Sequence, residues 1–539
     1  MTSRFALALA AAVLALPLSP LRAQDAPTWK APEPSEEEIA TFRRHVEFLA
    51  DPFLKGRWPG TPEMAMARDY IEFHMRAVGL QPAFGGTNAN YVGDGATTFR
   101  QDFHFNQKRT ATSASLSVAG GEIALPEGSL RGSAAGAEEG SGEMVFVGYG
   151  IPSGTDDWVG LADDDSFDGK IAVAFLFEPL DAEGRSQWKK DGGWSNRSSL
   201  RRRLRELSRR GAAGAILIVP PGVDADVKET MDELATFSAR IVRFPVVALD
   251  AKGGAALLAA THDKGDSLEA IRARADAGRC VFPLNGVAEM KIEIGLSGGD
   301  PASNVGGIIP GRGKLAKELV VVGAHIDHLG LGYRGSRARN RAGEIHPGAD
   351  DNASGTAAII MIGRRIVDYY KTLPPDADAR SVLILGLDAE EQGLHGAAYY
   401  TRNPLVPIED HQLMINFDMI GRITDHQIRV DGMQSGTGLI ELCQPLFAES
   451  GLKALPGDSI MMASDHARFF AAGVPILFSI ITPFHDDYHT PEDTVQKINS
   501  VDAVRVVEVY AEIARRAATM PEDITFTNES KMPKPAQGN

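Results

Sequence analysis

Cysteine is nearly absent from this chain: Cys280 and Cys443 are the only two among 539 residues. They lie far apart, so no disulfide framework is expected, nor a cysteine-ligated zinc or a cysteine nucleophile. Positive charge is also scarce. Lys and Arg number 55 against 71 Asp and Glu, a net charge of −16. That argues against a nucleic-acid partner, which needs a basic face to displace counterions. Beyond residue 23 no apolar run is long enough to cross a bilayer. Three catalytic signatures are missing as well. There is no His-Glu-x-x-His helix, and Gly313-Lys314 lacks the earlier Gly and following Ser or Thr of a phosphate loop. Gly295-Leu296-Ser297-Gly298-Gly299 has the spacing of a serine nucleophile elbow. That motif needs a helix at once, and here Asp300-Pro301-Ala302-Ser303-Asn304 follows, so the stretch reads as a Gly-rich turn.

What is present is the composition of an ordinary globular protein, 43% hydrophobic and 23% charged, with length for two or three domains. Residues 1–23 read as a signal peptide. Arg4 supplies the positive start, Phe5 to Leu18 is apolar, and Leu21-Arg22-Ala23 suits cleavage. The mature protein is therefore expected to be secreted or periplasmic, without stable membrane insertion. Residues 24–34 form a Pro-rich linker. Ser35 with Glu38 spells a capping box, and Ile39, Phe42, Val46 and Leu49 follow at helical spacing. A second helix is expected from about Pro62 to Val78, stopping at Gly79.

Between about 111 and 290 short apolar runs alternate with turns, among them Ile171 to Phe177, Ala215 to Val219 and Pro245 to Leu249. The basic stretch Leu200 to Arg210 reads as the solvated face of a helix. From about 300 onward the pattern changes. Leu319 to Ala324, Val382 to Leu387, Leu413 to Phe417 and Val474 to Ile481 are near-continuous apolar runs, as parallel strands buried on both faces require. Helices are expected at Ser354 to Tyr370 and Ser500 to Met520. The fold class is α/β, with a mostly parallel or mixed central sheet flanked by helices. The polar tail after Met520, residues 521–539, is expected to be disordered.

Polar clusters stand at or just beyond the ends of these apolar runs: His325-Ile326-Asp327-His328, Glu390-Glu391, Asp418 and Tyr488-His489. A fifth, Asp350-Asp351, opens the helix at Ser354. Ligands in open α/β sheets bind outside the carboxyl ends of the strands, so one rule gathers all five into one crevice. Imidazoles and carboxylates are zinc ligands, and a shared carboxylate holds two ions together while lowering their repulsion. Taken singly, each cluster has an ordinary reading: a surface His beside an acid, a solvated loop, a helix cap, a turn. Their joint placement does not.

These stretches resemble the M28 family of zinc aminopeptidases and carboxypeptidases. The matching motifs are Gly323 to Gly330, Gly348 to Gly355, Asp388 to Gly393, Asn416 to Arg422 and Tyr488 to Thr494, in the family's order. The resemblance implies two zinc ions, one held by His325 and Asp418, the other by Glu391 and His489, with Asp351 bridging. It implies that Asp327 orients His325, that Glu390 takes a proton from the bridging water and passes it to the leaving amine, and that Tyr488 stabilises the oxyanion. It also implies a cis peptide bond after Asp351. The substrates would be peptides losing their N-terminal residue. A carboxypeptidase shares the same metal site; glutaminyl cyclase chemistry and a non-enzymatic receptor are more distant alternatives. The peptidase domain would be discontinuous, residues 35–110 and 291–520, with a β-rich protease-associated domain inserted at 111–290. One departure stands out: Arg468 occupies the place of a Pro usual after Ser464-Asp465-His466.

Overall fold

The computed structural model describes residues 29–119, 121–237 and 242–530. The expected signal peptide and the last nine residues lie outside them. The chain forms two compact units. One takes in the described residues up to Phe103 and those from Pro301 onward; the other is His104–Asp300.

The first unit is built on a nine-stranded mixed sheet. Four parallel strands form its middle, in the order Ser381–Leu387, Leu319–His325, His411–Phe417 and Ile476–Ile481. Antiparallel strands flank them, Asp300–Ile309 on one side and Gln427–Asp431 on the other. Every residue of the four parallel strands is buried. Their runs of Val, Ile and Leu fit that position, since each fully buried aliphatic side chain stabilises the fold by roughly 1.5–3 kcal/mol. Helices Gly355–Thr372 and Ser500–Thr519 pack on each other and on the sheet. The helix Glu36–Leu49 begins with the expected capping box, in which Ser35 and Glu38 exchange hydrogen bonds. The helix Pro62–Val78 is capped by Thr61 and ends where Gly79 turns left-handed, at φ 98°.

The tail is a correction. Residues 521–530 are held against the first unit. Ile524 is buried and donates its amide to Gln412 Oε1 at 2.9 Å, and the Phe526 ring meets Phe470 at 5.1 Å. The buried Arg380 guanidinium donates to the carbonyls of Met520 and Glu522. Two apolar side chains and one buried cation therefore anchor a segment whose composition is polar.

The second unit has an eight-stranded sheet. Its centre is parallel: Glu139–Val147, Ile171–Phe175, Gly214–Ile218 and Val246–Leu249. The long strands Lys108–Val118 and Val281–Ser297 pair antiparallel. Four helices accompany the sheet: Leu200–Arg209, Val227–Thr236, Ala251–Thr261 and Leu268–Ala277. Only the first was legible in the sequence. The others begin at Asp226, Asp250 and Ser267, each side chain accepting a backbone N–H in the first turn. Those caps were the missed signal. Ser297 ends a strand and is followed by Gly298 and Gly299 at φ 65° and 97°, so the elbow-like motif is a turn.

Candidate metal centre

The parallel strands deliver the site. His325 is the last residue of Leu319–His325, and Asp418 follows directly on His411–Phe417. Glu390 and Glu391 stand in the turn after Ser381–Leu387, and His489 in the loop after Ile476–Ile481. Asp351 lies in the buried turn Ala349–Ser354 that leads into helix Gly355–Thr372. The Asp351–Asn352 peptide is cis.

Hydrogen bonds join this turn to the segment bearing Asp418. Asn352 donates from Nδ2 to Phe417 O at 2.8 Å and accepts from Met419 N at 3.3 Å. Ser354 Oγ accepts from Ile420 N at 3.0 Å, and Asp350 Oδ1 from Gly421 N at 2.6 Å. The Asp350 carboxylate thus serves the backbone and His485, whose Nε2 is 3.2 Å away, while Asp351 faces the histidines. Asp493 completes the frame by accepting the amides of Asp350 and Asp351, both at 3.0 Å.

Two acid–histidine groups result, His325 with Asp351 and Asp418, and His328 with Asp351 and Glu391. His325 Nε2 lies 3.2 Å from Asp351 Oδ1 and 3.3 Å from Asp418 Oδ1. His489 Nε2 lies 3.1 Å from Asp351 Oδ2 and 3.2 Å from Glu391 Oε2. Two donors bonded at about 2.1 Å to one tetrahedral ion are about 3.4 Å apart, so these spacings suit zinc, as does the mixture of imidazole and carboxylate. The site also leaves His328 Nε2 buried without a hydrogen-bond partner, while His328 Nδ1 faces Glu391 Oε1 at 2.8 Å. Such an unpartnered atom is costly.

The charges bear on one another. Burial works to raise the Asp351 pKa, but His328, His325 and His489 outweigh it and hold the group well below the usual carboxylate range. Burial drives Glu390 well above its usual value; His325 opposes this, and the charges of Glu391, Asp418 and Asp465 reinforce it. Burial disfavours charge on His489 too, yet its bonds to Asp351 and Glu391 lift it to about 11.

Asp327 lies beside His325 and also reaches the Glu390-Glu391 turn. His325 Nδ1 faces the main-chain carbonyl of Asp327 at 3.2 Å, and the carboxylate is 3.9 Å away. That carboxylate accepts the amides of Glu390 and Glu391, at 2.9 and 3.3 Å. The Tyr488 ring lies against His489, with centroids 3.8 Å apart and planes tilted by 32°. Arg468, the departure from the family's pattern, donates to Gly393 O at 3.1 Å, just beyond the Glu390-Glu391 turn.

Sequence reasoning missed Arg57. It is buried and donates to the carbonyls of Ile326, Leu49, Pro347 and Gly348, tying together the loops that carry His325 and Asp351. Its partners are main-chain oxygens up to 291 positions away, so no local pattern betrays it.

Fold and site together define a class: a mixed α/β domain with a candidate metal centre at the carboxyl ends of its parallel strands. Residues 304–514, less than half of the chain, match the model of Peptidase family M28. A probable leucine aminopeptidase of Trichophyton verrucosum (strain HKI 0517) is 27% identical over 196 residues, 36% of this chain and 51% of the relative. Aminopeptidase YwaD of Bacillus subtilis (strain 168) is 24% identical over 213 residues, 37% of this chain and 41% of the relative. The chain thus spans about half the length of the curated relatives it matches. Among solved structures, the aminopeptidase from Aneurinibacillus sp. strain AM-1 aligns over 91% of this chain and 96% of its own, at 19% identity and a TM-score of 0.43.

Proposed function

We propose that the protein is a two-zinc aminopeptidase that removes N-terminal residues from peptides. The observation that carries this is the division of one carboxylate between two histidines: Asp351 offers Oδ1 to His325 and Oδ2 to His489. In this reading His325 and Asp418 hold one ion, Glu391 and His489 the other, and Asp351 both. Bound zinc polarises a carbonyl and lowers the pKa of water. The chain's own residues do the rest. Glu390 accepts a proton from the attacking water and returns it to the leaving amine, and its raised affinity for protons suits that exchange. The Asp327 carboxylate fixes the turn from which Glu390 projects. Burial and then the charges of Asp351 and Glu391 push the Tyr488 pKa upward, so its hydroxyl stays protonated and donates to the oxyanion. The unit His104–Asp300 supplies none of these residues and is read as a protease-associated domain. The N-terminal segment directs the protein to a secreted or periplasmic location.

A panel of aminoacyl anilides, with zinc content measured on the same sample, tests the reading. Two zinc ions per chain and release of the anilide are expected. Release of C-terminal residues instead, or a single ion at saturation, would overturn it.

A further inference from the structure

Positive charge is scarce in this chain, yet one loop concentrates it. Residues 331–346 hold Arg334, Arg337, Arg339 and Arg341 against a single acid, Glu344, in a molecule of net charge −16. Arg341 is paired, with Glu344 at 2.6 Å and with Glu492. Arg334, Arg337 and Arg339 are exposed, and among the described residues no ion pair joins any of them to an acid. The loop is nevertheless fixed against the candidate centre. Arg337 N donates to His489 O at 3.0 Å, and Gly335 O faces His489 Nδ1 at 3.1 Å. Ser336 Oγ donates to the same His489 carbonyl at 3.5 Å and lies 2.8 Å from His346 Nε2. The Arg337 guanidinium is 5.9 Å from the centre of the Tyr488 ring. Three unpaired arginines are therefore held at the His489 end of the centre. The His325 end is acidic. Glu390 there feels the charges of Asp418 and Asp465, and both Asp465 carboxylate oxygens are buried without a hydrogen-bond partner.

We propose that this loop receives a substrate carboxylate on the C-terminal side of the scissile bond, with Arg337 as its direct partner, resting on the aminopeptidase reading above. A peptide carries an ammonium at one end and a carboxylate at the other. The acids around Glu390 suit the first and the arginines beside His489 the second, so the polarity of the site sets the direction in which a peptide lies. A guanidinium fits this task, because it is planar, always charged, and matches its paired donors to the two oxygens of a carboxylate. The substrates are then peptides short enough for their own terminal carboxylate to reach the loop, or longer ones with Asp or Glu at that place. A loop whose arginines only face solvent predicts no preference between a peptide acid and its amide.

The test uses the zinc-loaded full chain and peptides that share one N-terminal residue. One series runs from dipeptide to pentapeptide, each as free acid and as C-terminal amide. A second series keeps a longer, amidated peptide and places Glu or Gln at each position after the scissile bond. The readout is the ratio of kcat/KM between the charged and uncharged member of each pair. It is taken within one protein, so a partly unfolded variant does not disturb it. The wild type is expected to favour the free acid about fivefold at one peptide length, the upper worth of one exposed ion pair. The gain should lie in KM, as binding common to ground and transition states does, and salt should shrink it. A preference confined to one series identifies which carboxylate the loop takes. Arg337→Gln should bring the ratio to about one, and Arg337→Lys should restore part of it. Equal rates in both series, or a wild-type ratio in a folded Arg337→Gln protein, would overturn the proposal and leave the aminopeptidase reading standing. Release of the C-terminal residue, identified by mass, would overturn that reading itself.

Discussion

Glu390 and Glu391 share a turn and differ in what they face. Glu391 meets His328 at 2.8 Å and His489 at 3.2 Å, whereas Glu390 is set by burial and by the charges of His325, Asp418 and Asp465. The two should therefore fail differently. Glu391→Ala is expected to lower zinc occupancy and activity together. Glu390→Gln keeps the shape of the side chain but does not accept a proton as a carboxylate does. It should retain zinc and inhibitor binding while turnover falls at least about a hundredfold, as removal of a general base does. Wild-type turnover in fully metallated Glu390→Gln would strip that residue of its role. At this scale the sequence is legible where a residue's partner is decided by its place on a strand. His325 and Asp418 are such residues, each at the end of an apolar run. It is opaque where the partner is a remote backbone atom. Asp327 illustrates the difference: its place beside His325 was readable, but its carboxylate binds the amides of residues 63 and 64 positions away.

At the scale of elements, the four parallel strands and the helices Gly355–Thr372 and Ser500–Thr519 were legible because burial on both faces leaves unbroken apolar runs and burial on one leaves a helical period. The loops between them carry no such period, and the buried Arg57 is what fixes two of them. The short turn Pro52–Leu54 precedes it, and Lys55, Gly56 and Arg57 all adopt positive φ. A side chain at Gly56 would place Cβ 2.4 Å from His346 O and 2.5 Å from Gly330 O, so only glycine lets this segment approach. Burial lowers the Arg57 pKa to about 10, against the favourable charges of Asp351, Asp327 and Asp493, and the guanidinium stays charged at neutral pH. Arg57→Lys preserves that charge but not the forked donors that reach four carbonyls. Each buried carbonyl left unpaired costs about 1–3 kcal/mol. The expected outcome is a lower melting temperature and zinc affinity reduced at least about tenfold, as for other groups that support metal ligands. A variant with wild-type melting and zinc affinity would show that the loops hold their places without Arg57.

For the whole molecule, the question is whether the metal-bearing unit depends on the segment that interrupts it. Every residue placed at the candidate centre, from Arg57 through His325, Asp351, Glu391 and Asp418 to His489, belongs to the unit formed by the residues up to Phe103 and from Pro301 onward. The two cut ends lie on paired strands, since Arg100–Phe105 is hydrogen-bonded to Asp300–Ile309. Neighbouring strands are about 4.8 Å apart, a gap that a short turn closes. The second unit, for its part, has its own sheet and two apolar clusters of its own, one around Phe146, Phe175 and Ile216, the other around Val147, Leu217 and Val246. Nothing local in the sequence marks residues 103 and 301 as neighbours, so the expected discontinuity rested on the family resemblance alone. Replacing residues 104–300 by a Gly-containing hairpin turn should therefore yield a folded protein that binds zinc with the stoichiometry of the full chain. The range of peptides it cleaves is expected to change, because a large surface unit is gone while the ligands and Glu390 remain. Zinc analysis, circular dichroism and turnover of a peptide-length series on the spliced protein check this. If a folded splice variant loses its zinc, the His104–Asp300 unit is part of the metal centre's support, and the assignment of the centre to one unit fails.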